Sequence, residues 1–374
     1  MYRRLLKFLR CPDCGGELNL FTLTLGSVAG SEEISEGLLN CQRGHWYPIV
    51  RGIPRMLPDA LVEHWAVLEK HIPRPAPEPL LELVEKQDRL TTSFDFDTRT
   101  RSNFSHQWNY HDLGGRTWGM ELSDRVKWYF LDPIGIPANE MPGKVMLDAG
   151  CGNGSQSVAY TEFGLEVIAV DLSSGLERGY AYRTMHPNAD PEKIHFVQGD
   201  LQRPPLAPAM FDIIHTAGVL HVTPNTHKTW LSLRPLLRPG GTFYTWINKY
   251  EPVVTPVVDT IRILTTKIPS SAFARVAQVM AVPFLGFCWM TNALGVRSYS
   301  RLNRREAALA LMDIFGSPYA HSHSFPEAKE WYSAAGFDNI WPCNDSRRGF
   351  GICGTSASLE AQEDSVFVQR GATS

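Results

Sequence analysis

The stretch Val145-Met-Leu-Asp148-Ala-Gly150-Cys-Gly152-Asn-Gly154 decides the reading of this chain. A short apolar run ends at an acid and passes into three glycines spaced two apart. Glycine lets the backbone turn tightly and approach a ligand closely, because no Cβ blocks the way. The spacing differs from the G-x-G-x-x-G of nicotinamide dehydrogenases, whose third glycine would fall at Ser155.

Outward from this loop the same pattern repeats. A second apolar run, 167–170, ends at Asp171. A third, 194–197, ends in Gly199-Asp200-Leu201. A fourth, 211–214, leads into His215-Thr216-Ala-Gly218-Val-Leu-His221, and a fifth, 241–247, is entered through Arg238-Pro-Gly-Gly. Short apolar runs alternating with helical stretches predict a parallel sheet with helices on both faces. Ligands of such sheets sit outside the carboxyl ends of the strands. There Asp171 can accept hydrogen bonds from a ribose. Asp200 can accept one from an adenine amino group, with Leu201 packing on the ring.

In this order and at these intervals, LDAGCGNG, VDLS, FVQGDL, FDIIHTAGVLH and LLRPGG resemble the class I S-adenosylmethionine-dependent methyltransferases, from about Lys144 to Gly354. The resemblance implies an α/β, Rossmann-like fold with a seven-stranded sheet. Its last two strands, 337–343 and 349–354, would form a reversed hairpin. It implies S-adenosylmethionine as cofactor. Asp148, Gly150 and Gly152 would lie along its methionine part, and Asp171 and Leu172 at the ribose. Asp200 and Leu201 would hold the adenine, and Thr216 would sit beside the sulfonium. In similar proteins an aromatic segment such as Phe104-Ser-His-Gln-Trp108-Asn-Tyr110 folds over the cofactor as a lid, which adds Trp108 to the set.

Cys11-Pro-Asp-Cys14 and Cys41-Gln-Arg-Gly-His45 form C-x2-C followed by C-x3-H. Thiolate and imidazole suit tetrahedral Zn²⁺, and four good ligands without an open position make a structural site. A segment of about 58 residues has little core of its own, so metal binding would supply much of its folding free energy. The surrounding sequence, through YPIVRGIPRMLP, resembles small zinc ribbons attached to, or partnering, methyltransferases. A C-x3-H second half is also seen at the start of some ribosomal-RNA guanine methyltransferases. Relatives often carry cysteine where Gly44 stands, so His45 is the ligand least fixed by the pattern.

The domain boundaries expected are a zinc ribbon over 1–58, a Pro-rich linker over 59–92 and a helical aromatic lid over 93–143. A class I methyltransferase domain follows over 144–356 with a helical insertion at 250–319, and a flexible tail over 357–374. The linker reading rests on four prolines within His71-Ile-Pro-Arg-Pro-Ala-Pro-Glu-Pro. Ser324-Phe-Pro-Glu327 has the form of a capping box opening a helix.

Methyl transfer is an in-line displacement, so the protein mainly aligns the acceptor and excludes water. Where the acceptor needs a base, His221, which follows the fourth strand at the cofactor's reactive end, is the first candidate. His321 and His323, before the capping helix, are further candidates. The insertion's apolar section, with Phe284, Leu285, Phe287, Trp289 and Met290, points to an apolar or aromatic small-molecule acceptor, to the insertion's own core, or to a homodimer contact. Residues 276–294 come nearest to a membrane span but contain Gln278, Pro283, Gly286 and Asn292, so a buried helix or pocket lining is expected instead.

Among 374 residues, 36 Lys and Arg stand against 39 Asp and Glu, a net charge of −3. That balance excludes a protein coating nucleic acid by bulk charge. A strip of Arg3, Arg4, Lys7 and Arg10 keeps an RNA base methyltransferase guided by the ribbon as the alternative. Seven cysteines, an odd number, fit a reducing, cytoplasmic setting better than a disulfide scaffold. The basic, interrupted start of the chain carries no signal-peptide pattern.

Overall fold

The computed structural model describes residues 1–78, 80–85, 98–111, 113–295, 302–346 and 348–357. Parts of the expected linker (79, 86–92) and lid (93–97), and nearly all of the tail (358–374), lie outside the described residues.

The chain opens with four strands, β1 (Leu18–Val28), β2 (Ser31–Cys41), β3 (Trp46–Val50) and β4 (Ile53–Met56), all paired antiparallel in sequence order. Two helices follow, α1 (Ala60–Leu68) and α2 (Leu80–Glu85). Their leucines Leu61, Leu68, Leu80 and Leu83 pack on Leu38 and Val50 of the strands beneath. The expected linker is thus helical on either side of its proline run, while residues 71–78 themselves form turns and bends. Its apolar residues recur at helical spacing around the prolines, and the ribbon offers them a face to bury against.

Next come α3 (Thr98–Tyr110), α4 (Leu122–Val126) and α5 (Asp132–Ile134), and then the alternating unit that the glycine loop announced. It runs β5 (Val145–Ala149), α6 (Ser155–Tyr160), β6 (Glu166–Asp171), α7 (Leu176–Tyr182), β7 (Ile194–Gly199), β8 (Phe211–Ala217), α8 (Thr226–Leu233) and β9 (Leu237–Asn248). The insertion contributes α9 (Val254–Thr265), α10 (Ser270–Ala293) and α11 (Arg304–Gly316). The chain returns through α12 (Phe325–Ala334) to the hairpin β10 (Phe337–Cys343) and β11 (Gly349–Ser356). Capping boxes open α11, at Asn303 and Glu306, and α12, at Ser324 and Glu327.

The sheet order is β1-β2-β3-β4-β7-β6-β5-β8-β9-β11-β10. The last seven positions form the expected seven-stranded arrangement, parallel except for β11, which runs antiparallel to both β9 and β10. The sheet is larger than seven strands because the ribbon joins it. β4 pairs parallel with β7, Arg55 opposite Gln198 and Met56 opposite Gly199. The core is correspondingly shared. Leu5, Phe8, Ile49 and Met56 of the N-terminal segment belong to one buried cluster with Val170, Val197, Trp230 and Phe243.

The insertion departs from expectation. Only 22% of the most apolar stretch of α10 is buried, so residues 276–294 are not a buried helix. Phe284 and Leu285 pack against α11, but Phe287, Trp289 and Met290 are exposed. The run is apolar all round, and such a pattern fixes no inward face from sequence alone.

Candidate functional site

Both turns of the glycine loop need glycine. Gly150 and Gly152 have φ of +87° and +60°, and a Cβ at Gly152 would lie 2.6 Å from the Trp108 indole. The N–H groups of Gly150 and Cys151 donate to Val170 O at 2.8 and 3.1 Å. This ties the loop to the end of β6. Asp171 completes the tie: one carboxylate oxygen accepts the Gly152 N–H at 2.8 Å, the other the Ser173 N–H and hydroxyl at 2.8 and 2.7 Å. Burial raises its pKa, and these bonds oppose the rise.

The acid at the start of the loop is occupied internally. Asp148 accepts the Ser157 hydroxyl at 2.5 Å and lies 3.0 Å from His215 Nδ1, whose Nε2 is 3.1 Å from Tyr129 O. Both ring nitrogens of His215 therefore face acceptors, and the Asp148–His215 pair lies inside the core. His215 was not singled out from sequence. Its placement at an inward position of an apolar strand was the available signal.

Asp200 and Leu201 stand at the end of β7. Asp200 accepts the Gln202 N–H at 2.9 Å, and Leu201 is buried. Leu172, next to Asp171, is half-buried, and its carbonyl accepts Gln198 Nε2 at 3.1 Å. Thr216, on β8, is fully buried with an unpartnered hydroxyl, and Asn153 in the loop keeps an unpartnered Nδ2. Trp108, on α3, lies over Gly152 and stacks on His111 with ring centroids 4.7 Å apart. Arg178 clamps this end of α3 through the Trp108 and Asn109 carbonyls, at 3.2 and 2.7 Å.

The three candidate histidines come to one corner. His221 follows β8, and its carbonyl accepts the His321 N–H at 2.7 Å. His321 Nε2 is 3.0 Å from Thr223 O, and His323 Nδ1 is 2.8 Å from Glu327. His221 is buried with an unpartnered Nδ1, and burial holds its pKa at about 3. It is neutral at ordinary pH but has little appetite for a proton. Asp313 of α11 behaves oppositely. Burial pushes its carboxyl up to about 6, with Gln107 Nε2 3.5 Å away. Gln107 immediately precedes Trp108. A lone acid in the apolar run Leu-Ala-Leu-Met-Asp313-Ile-Phe was the sequence signal for it.

At the ribbon, Cys11, Cys14, Cys41 and His45 converge, with all four donor atoms within 4.8 Å of one another. His45 Nδ1 lies 3.4 Å from Cys11 Sγ and 3.3 Å from Cys41 Sγ, and the Cys14 and Cys41 sulfurs are 3.6 Å apart. A tetrahedron with ordinary Zn–S and Zn–N bonds has edges of about 3.5–3.8 Å, so the donors fit such an ion with little movement. The basic strip nearby is largely spent. Arg4 and Lys7 face Glu166 at 3.3 and 4.0 Å, and Arg10 faces Glu17 at 3.8 Å.

Residues 147–245 match the family described as Methyltransferase domain, and residues 3–52 the family described as Trm112p-like protein. The chain carries a methyltransferase domain behind a Trm112p-like ribbon. The methyltransferase domain is similar to the malonyl-[acyl-carrier protein] O-methyltransferase of Enterobacter lignolyticus, at 35% identity over 96 residues, 26% of this chain and 36% of that protein. It is also similar to the sterol 24-C-methyltransferase ERG6B of Gibberella zeae, at 29% over 126 residues, 33% and 32% of the two chains. A ubiquinone biosynthesis O-methyltransferase of Coxiella burnetii shares 31% over 149 residues, 37% of this chain and 60% of that one. The chain thus spans about a third of the length of the first two relatives. Among solved structures, magnesium protoporphyrin IX methyltransferase from Synechocystis with bound SAH aligns with a TM-score of 0.38 at 13% identity, covering 74% of this chain and 95% of that one.

Proposed function

We propose that this protein transfers a methyl group from S-adenosylmethionine to a small, apolar or aromatic acceptor. The observation that carries the reading is the tie between Asp171 and Gly152 at the carboxyl ends of β5 and β6. It sets a close-approach loop and a buried carboxylate with lone pairs to spare on one ligand-sized space. The unpartnered Thr216 hydroxyl and Asn153 amide are polar groups that such a ligand would satisfy.

When bound, the cofactor supplies a methyl group on an electron-poor sulfonium. The residues here do the rest. Gly150 and Gly152 admit its amino-acid portion, Asp171 and Leu172 face the ribose, and Asp200 and Leu201 the adenine. The Trp108 indole closes over the loop and excludes water. Asp313, with a pKa of about 6, is suited to take a proton from an acidic acceptor near neutral pH. His221, His321 and His323 border the acceptor side, where neutral His221 offers a hydrogen bond rather than a strong base. The relatives' names, which include a sterol and ubiquinone biosynthesis, support an apolar acceptor. The basic strip is partly offset by Glu166 and Glu17, which favours a small acceptor over RNA as the methyl acceptor. At the ribbon, Cys11, Cys14, Cys41 and His45 would hold a Zn²⁺ that serves folding, four ligands filling its tetrahedral positions.

Calorimetric titration with S-adenosylhomocysteine tests the central reading. Binding in the micromolar range that Asp171→Ala weakens a hundredfold or so supports it, as loss of charged hydrogen bonds worth about 1.5–3 kcal/mol each predicts. No heat at millimolar ligand overturns it.

A further inference from the structure

Helix α9 is built inside out. The one side chain it buries deeply is Arg262, 7% exposed, whose guanidinium reaches Ser317 O at 2.6 Å, Ala320 O at 3.2 Å and Asp259 at 3.3 Å. Its apolar residues point the other way: Val253 is 78% exposed and Leu264 69%, with Val254, Val257 and Ile261 exposed along the same stripe. Positions 253, 257, 261 and 264 share one face of a helix. An ordinary surface helix would bury that row and turn the arginine outward.

Helix α10 also turns apolar residues outward, although its buried stripe is apolar. Phe273, Ala277, Ala281 and Cys288 form its buried stripe, with Ala277 and Ala281 against α11. Two outward rows remain. One carries Val276, Met280, Phe287, Met290 and Leu294. The other carries Arg275, Val279, Val282 and Trp289, with Val279 70% and Trp289 76% exposed. Scattered apolar residues on a surface are ordinary, but continuous rows on two successive helices mark an interaction site.

Charge identifies the occupant. Between Thr260 and Arg305 the sequence has seven Lys or Arg and no Asp or Glu. Arg262 among them is buried against Asp259, Arg304 and Arg305 belong to α11, and Lys267 and Arg275 are the exposed ones on the described part of this face. Exposed Lys267 stands in the turn between the two helices, and exposed Arg275 on the first turns of α10. Apolar rows with basic flanks suit the headgroup–acyl boundary of an anionic bilayer, where a tryptophan also resides well. Two copies meeting through this face would bring Lys267 and Arg275 of both together, opposed on these two helices by Asp259 alone.

We propose that α9 and α10 form a docking face that lies in the surface of an anionic membrane. The 24-residue α10 is roughly 36 Å long and could span a bilayer by length. Its buried stripe, however, is committed to α11 and neighbouring elements from Phe273 to Cys288. The helix therefore lies on the membrane with the domain attached instead of crossing it.

Flotation of the full chain with vesicles, in the absence of cofactor, tests this face independently of methyl transfer. The protein should float with phosphatidylcholine–phosphatidylglycerol vesicles, less with phosphatidylcholine alone, and less in high salt. Leu264→Glu with Trp289→Glu should abolish flotation while circular dichroism stays unchanged, since both side chains are exposed. Lys267→Gln with Arg275→Gln should weaken binding to the anionic vesicles roughly thirtyfold, at about 1 kcal/mol per basic residue. Absence from both vesicle fractions overturns the proposal. So does a dimer in light scattering that the two glutamates dissociate, because a second copy then covers the face.

Discussion

Glu33 of the ribbon and Arg183 beyond α7 form a two-pronged ion pair, at 3.0 and 2.7 Å, with both side chains buried. Burial alone would push the Glu33 carboxyl up. Hydrogen bonds and charge from Arg183 hold it below the usual carboxylate range. Tyr180 donates to the same carboxylate at 2.7 Å, and its ring stacks under the guanidinium. The pair rivets the ribbon to the methyltransferase domain in a dry setting.

Breaking that rivet on one side should be costly. Glu33→Gln leaves Arg183 buried without its counter-charge and is expected to lower stability by about 3–5 kcal/mol. Urea unfolding measures it. A change below about 1 kcal/mol would mean that water reaches the pair.

Metal removal should be felt across the whole chain. Metal analysis is expected to find about one zinc per chain, and Cys11→Ser to lose it. Because β4 pairs with β7 and the two parts share a core, loss of the ion should shift one cooperative melting transition downward. Two separate transitions, with the upper one unmoved, would show that the ribbon unfolds alone.

Acid should loosen the fold below about pH 6.5, with Asp313, whose carboxyl burial pushes up to about 6, offsetting part of the loss as it takes its proton. His111 and His221 hold pKa values of about 3 through burial, against 6.5 for a free side chain. Between those values the unfolded chain binds more protons than the folded one. Their stability contribution is therefore complete above about pH 6.5 and falls as pH drops toward 3. At pH 5 the loss is about 2 kcal/mol per histidine. Melting temperature against pH should slope down below 6.5, and His221→Gln should flatten the slope. A flat wild-type curve from pH 7 to 5 would refute the assignment.

The loop itself can be probed without touching charge. Gly152→Ala places a Cβ in a left-handed turn and against the Trp108 indole. It should weaken S-adenosylhomocysteine binding at least tenfold. The double change with Trp108→Ala should recover part of the loss, since it removes the collision and leaves only the backbone strain.

The alternating unit was legible because each strand end carries its own local mark: Gly150, Asp171, Asp200, Thr216. The cluster of Cys11, Cys14, Cys41 and His45 was legible for the same reason, in two four- or five-residue motifs. What stayed hidden was relational. Arg55 and Met56 carry no sign that they will meet Gln198 and Gly199, some 140 residues on. The Asp148–His215 pair likewise joins residues 67 apart in sequence. The outward rows of α9 and α10 escaped because an apolar run reads the same whether it faces a core or a membrane. Arg262, a charge within such a run, was the one clue to their orientation.

The joining of β4 to β7 has a consequence for cutting the chain. Without the ribbon, β7 would be an outermost strand, with a bare row of N–H and C=O groups flanked by Ile194, Phe196 and Val197, all buried in the intact fold. Bare rows of that kind recruit strands from other molecules. The ribbon therefore also acts as a cover against sticky self-association. A version starting after Pro58 should precipitate even if every cofactor contact is intact.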